Sequence, residues 1–210
     1  MSNREYRTFT DFGLFQNENT ETESKELVRG IATTYGEPYT LYADNEVVIM
    51  EQVDKNAFNT TDLSDVIMQY NHEGRVFART KNGTLKLNPN NERGLEITAD
   101  LDGTDIGRQL KQEIKGGYTD KMSIGFRVGD DERISYEKDG KIVELRTIKS
   151  FEKLYDVSAV SIPANDMTAI SVRSYVDGVL AEREAERLKK QKEQRQKQRL
   201  EIALQLQGVK

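Results

Sequence analysis

Met122-Ser123-Ile124-Gly125-Phe126-Arg127-Val128 is the stretch that decides the fold. Its apolar members, Met122, Ile124, Phe126 and Val128, fall on one side of an extended chain. Ser123, Gly125 and Arg127 fall on the other. This is the period of two expected of a strand with one face on a core. Residues 6–9, 27–35, 47–50, 66–70, 76–80, 84–87, 95–101, 142–148 and 154–162 read as further short strands, and residues 169–173 as a final edge strand. In 95–101 the alternation is again regular, with Leu95, Ile97, Ala99 and Leu101 on one side. Asn82-Gly83, between two strand-like runs, signals a tight hairpin turn, and Asp139-Gly140 bounds another excursion. Residues 16–26 are polar and acidic and read as a loop, and 54–58 as one helical turn capped by Asp54.

One segment breaks the strand period. Between residues 105 and 115, Ile106, Leu110 and Ile114 recur every four positions, which is a helix face. Thr104 is its expected cap, and Gly116-Gly117 its stop. Many short strands with one helix predict a mostly β (α+β) fold, an antiparallel barrel or sandwich with helical decoration.

The composition changes near Ser174. Residues 182–201 hold five acidic and eight basic side chains, with favourable i,i+4 pairs Glu186/Lys190 and Glu193/Lys197. Ser174 and Asp177 have capping-box-like spacing. Nothing apolar occurs from residue 189 to 199, so a regular coiled-coil seam is absent. The organisation expected is a domain over 1–173 and a charged helical tail over 174–210.

Bulk properties narrow the chemistry. The 210 residues contain no Cys and one His, which excludes thiolate metal sites, a thiol nucleophile and any multi-histidine site within one chain. A net charge of −5 argues against a dedicated nucleic-acid binder. No apolar run is long enough for a membrane helix, and the first residues lack a signal-peptide core, so the chain is expected to work where it is made.

His72, in Tyr70-Asn71-His72-Glu73, follows an apolar strand and is the only histidine that could serve as a general base. Ser123 stands beside Gly125, which leaves space above the strand for an approaching carbonyl. On spacing alone, Ser123 reads first as a plain serine on a half-exposed sheet face. Asp156, inside the apolar run Leu154-Tyr155-Asp156-Val157-Ser158-Ala159-Val160, is costly to bury unless paired and is a candidate third member. Glu73 and Glu152 are alternatives to it.

Together these segments resemble the prohead (capsid maturation) proteases of tailed bacteriophages. The signatures are Tyr70-Asn71-His72-Glu73, Arg79-Thr80 with Gly83-Thr84-Leu85, Arg93-Gly94-Leu95, a helix ending before Gly116, Met122-Ser123-Ile124-Gly125-Phe126, and Asp156-Val157-Ser158 leading to Ile162-Pro163-Ala164. They run in order from about Arg4 to Arg173. The resemblance implies that His72, Ser123 and Asp156 match the family's histidine, serine and acid. It implies a closed or partly open antiparallel barrel of the herpesvirus-protease type, with the turn at Pro163-Ala164-Asn165 helping to bind the oxyanion. It implies a serine endopeptidase without cofactor. Its substrates would be the scaffold, the major capsid protein and itself, in the host cytoplasm inside the assembling prohead. A homo-oligomer is compatible with it; a membrane or specific nucleic-acid partner is not expected. The tail would be a scaffold-like or targeting segment. The competing expectations are a non-catalytic scaffolding or structural protein of the same assembly, or a small binding module.

Overall fold

The computed structural model describes residues 4–9, 12–16, 26–160 and 166–208. The chain divides into two compact units, Met1–Val172 and Arg173–Lys210.

The described strands of the first unit form two sheets. One joins β1 (Glu5–Phe9), β10 (Lys121–Lys138), β11 (Lys141–Val160), β5 (Val47–Val53) and β4 (Tyr39–Ala43) in that order, and β6 (Ile67–Tyr70) with β7 (Glu73–Arg79) branches from β11. The other runs β2 (Phe12–Gln16), β3 (Glu26–Thr34), β9 (Gly94–Ala99), β8 (Leu85–Asn88). The architecture is mixed, with a dominant β core and a long C-terminal helix, as the sequence leads one to expect. The strand pairing, however, traces no closed barrel among the described residues, and the first sheet is not purely antiparallel. Both parallel pairings are on β11. Its first half pairs with β5 and its second half with β6, both in parallel, so one strand serves two neighbours.

The core lies where the alternation puts it. Met122, Ile124 and Phe126 are buried among Met68, Leu154, Val157 and Phe151 of the same sheet and Val28, Ile97 and Ala99 of the other. Helix α1 (Asp105–Lys115) adds Leu110 and Ile114 to this cluster. Thr104 caps it, its hydroxyl accepting from the Gly107 N–H at 3.1 Å.

Several local expectations change. Asn82-Gly83 does turn the chain, with Gly83 left-handed (φ 76°), but β7 pairs with β6 and β8 with β9. The turn therefore passes the chain from one sheet to the other instead of closing a hairpin. Local turn chemistry sets a reversal; it does not choose the strand's partner. Asp139-Gly140 does close a hairpin, with positive φ at both residues and Lys138 opposite Lys141. The runs 142–148 and 154–162 are not two strands: Ser150, Phe151 and Lys153 between them stay in the ladder across bulges, and β11 is one strand of 20 residues. Residues 54–58 form turns instead of helix, with Asp54 Oδ1 accepting from the Asn56 N–H at 2.9 Å.

Residues 169–173 are helical, not an edge strand. They lie in α2 (Asp166–Gln207), which is already running at Ser174, so Ser174 is not its cap. The β-branched residues there carry a weak preference that the long helix-forming run overrides. From residue 184 to 203 every side chain of α2 is exposed. The loop expected at 16–26 falls almost wholly outside the described residues.

A buried ionic cluster ties β1, β4, β5 and β11 together. Glu51 accepts from Arg7 at 2.6 and 2.9 Å, from Arg146 at 2.9 Å and from the Tyr39 hydroxyl at 2.6 Å. Glu5 joins Arg7 and Arg146, and Asp131 joins Arg146. Burial pushes the Glu51 carboxyl up, but the two guanidiniums outweigh it and hold it below the usual range. Burial, and then the adjacent carboxylate, keep the Tyr39 hydroxyl well above its ordinary value.

Candidate active site

Strands β1, β10, β11 and β6 lie side by side, and their register builds the site. One row across them is Tyr6, Gly125, Asp156, Ile67, and the next is Thr8, Ser123, Ser158, Gln69. β6 then reverses through Asn71 and His72, with φ of 50° and 63°, so that Tyr70 faces Glu73. The Asn71 N–H donates to Ala159 O at 3.0 Å and pins the turn to β11. The reversal swings His72 back over the polar face of β10 and β11.

The three residues proposed from the sequence come together there. His72 Nε2 lies 2.6 Å from Ser123 Oγ, and His72 Nδ1 lies 2.6 Å from Asp156 Oδ1. With the carboxylate ionised and the ring neutral, Nδ1–H donates to Asp156 and Nε2 accepts from the serine hydroxyl. Ser123 and Asp156 are fully buried, and His72 is 8% exposed. The alternative acids stand apart: Glu73 is exposed, and Glu152 pairs with Arg127 at 3.2 Å.

Asp156 is held on both oxygens. Oδ1 also accepts from the Ser158 hydroxyl at 2.6 Å, and Oδ2 accepts from Arg4 Nη2. The ring of Tyr6 packs edge-on against His72, centroids 4.4 Å apart at 65°. Burial pushes the Tyr6 hydroxyl up, against the opposing charge of Arg4.

Gly125 plays a different part from the one its spacing suggests. A methyl group on it would overlap Asp156 Oδ2 and stand 2.9 Å from Arg4 Nη2. The room it leaves is taken by the acid, not left open to a substrate.

Sequence reasoning missed Arg4, Tyr6 and Ser158. Ser158 was within reach, because it lies two residues from Asp156 on the same face of a strand. Arg4 and Tyr6 depend on a pairing across more than a hundred residues that no local pattern encodes. Pro163-Ala164-Asn165, the expected oxyanion turn, lies outside the described residues. Among the described residues, no cluster of three or more His, Asp or Glu could hold a metal ion, and no helix is long and apolar enough to cross a membrane.

Residues 14–181 match the family model of the caudovirus prohead serine proteases. The chain belongs to that family. Among its relatives, the prohead protease of Enterobacteria phage HK97 is 27% identical over 171 residues, which cover 79% of this chain and 71% of that protein. The solved structure of the bacteriophage T4 capsid assembly protease is similar at a TM-score of 0.42 and 12% identity, covering 75% of this chain and 96% of that one. Membership makes the His72–Ser123 contact a protease-like site and puts the chain among the hydrolases of capsid maturation.

Proposed function

We propose that the chain is a serine endopeptidase of prohead maturation, with Ser123 as nucleophile, His72 as general base and Asp156 as the residue that orients the imidazole. The observation that carries this is the continuous chain of contacts from Ser123 Oγ through both nitrogens of His72 to Asp156. His72 Nε2 takes the hydroxyl proton as Ser123 Oγ bonds to the scissile carbonyl carbon, leaving a tetrahedral oxyanion. Asp156 balances the imidazolium so formed. The imidazolium returns its proton to the leaving amine, and the peptide bond breaks to give an acyl-enzyme. Water, activated by the same nitrogen, then releases the acid product. Backbone N–H groups hold the oxyanion, and the family resemblance points to the turn at Pro163-Ala164-Asn165 for them.

The name of the HK97 relative supports a role in the prohead. The substrates we assign are scaffold, the amino-terminal segment of the capsid protein and the protease itself. The workplace is the assembling shell in the host cytoplasm. We assign 1–173 to the protease and 174–210 to an addressing tail.

The test is Ser123→Ala in the full chain, co-expressed with scaffold and capsid protein. Cleavage should vanish while the circular dichroism spectrum is unchanged. A serine-directed phosphonate should label the parent at Ser123 and not label the variant. Cleavage at the parent rate by Ser123→Ala would overturn the assignment and favour a non-catalytic assembly protein. Asp156→Asn should lower kcat by about 10³–10⁴, because an amide facing Nδ1 favours the wrong tautomer.

A further inference from the structure

The Asp156 carboxylate is fully buried, and its direct partners on β11 and the β6–β7 turn are the Ser158 hydroxyl and His72 Nδ1. A buried carboxylate needs a counter-charge to stay ionised. Among the described residues, the cation that touches it is Arg4, whose Nη2 bonds Oδ2, the oxygen that His72 does not use.

Arg4 is itself held in place. Its guanidinium lies over the rings of Tyr6 and Tyr155, at 5.1 and 4.5 Å from their centroids. Gly125 leaves the gap through which it reaches the acid. The other charges around the site have their own partners or face outward. Arg127 pairs with Glu152, and Lys153 pairs with Asp62, both cations lying near Tyr155. Glu73 follows His72 and is exposed.

We infer that Arg4 is a positioning residue that acts through Asp156, fixing which oxygen faces His72 and opposing the positive charge of a protonated His72. This rests on the proposed triad. The sign follows from charge. Each positive charge near the Asp156–His72 pair disfavours the imidazolium, so removing Arg4 favours protonated His72. The site then loses its base at a higher pH than before.

His72 is the chain's one histidine, so its ring can be followed without assignment. In full-length protein labelled with ¹⁵N-histidine, the imidazole titration of Arg4→Gln should move to higher pH than the parent's. Arg4→Lys should return it toward the parent. The acid limb of kcat/KM should move in parallel in a peptide assay. Arg4→Met serves as a second variant should Gln unfold or take over the bond to Asp156. An unmoved titration in folded Arg4→Gln or Arg4→Met would overturn the inference. A moved titration in a chain with no measurable peptidase activity would uphold Arg4's coupling to His72 and refute the protease reading instead.

Discussion

The carboxylate of Asp156 occupies the place where a side chain on Gly125 would stand. The two residues face each other across β10 and β11, so the site's acid is fitted to an absence in the neighbouring strand. Gly125→Ala should therefore displace the acid while sparing the Ser123–His72 contact. Turnover is expected to fall by roughly 10²-fold or more, with overpacking costing about 1–3 kcal/mol of stability. Peptide kinetics and a urea melt on one preparation check both; unchanged turnover would mean that Asp156 does not orient His72.

His72 hangs on a reversal whose two residues both have positive φ. Asn tolerates that conformation and β-branched residues do not. Asn71→Gly should keep the reversal, because glycine adopts positive φ freely. Asn71→Val should lose roughly 1–2 kcal/mol, and turnover with it, because the turn carries His72, the proposed base. Equal melting temperatures for the Gly and Val variants would refute this account.

Glu51 is a buried anion between two buried guanidiniums. Glu51→Gln leaves Arg7 and Arg146 short of charge, and the expected loss is about 3–5 kcal/mol at neutral pH. The folded carboxyl titrates below its unfolded value, so its contribution is complete above about pH 4.3 and fades as pH falls through the folded value. The parent's advantage over Glu51→Gln should shrink on acidification and stay constant toward alkali. Urea unfolding at a series of pH values reads this directly, and a gap that widens in acid would contradict it.

The exposed stretch of α2 from residue 184 to 203 offers charge and no apolar seam. Removing residues 184–210 should spare short-peptide cleavage and reduce the number of protease copies per assembled shell. Counting copies by mass spectrometry in shells made with each form is the check. Unchanged incorporation would move the address elsewhere in the chain.

The sequence carried the strand period of β10, the helix face of α1 and the turn at Asp139-Gly140, because each is written within a dozen residues. It also carried the identities of His72, Ser123 and Asp156 as candidates, through chemistry and through the family resemblance. What it did not carry is partnership. That β7 and β8 belong to different sheets, that residues 142–160 are one strand, and that Arg4 meets Asp156 are facts of long-range register. The edge strand expected at 169–173 failed for the opposite reason: a short local preference lost to the long helix around it.

The spacing of the site along the chain also sets a clock. The serine, at position 123, is synthesised 33 residues before the acid, at position 156, and both follow the histidine at 72. At roughly 5–20 residues per second, the ribosome makes Ser123 about 2–7 seconds before Asp156. β10 must also wait for β11, its partner along its whole length. On the proposed triad, a nascent chain carries its serine before the acid that would orient the base. Ribosome-stalled chains ending before residue 156 should resist the serine-directed phosphonate, while released full-length protein reacts; equal labelling of both would remove the clock.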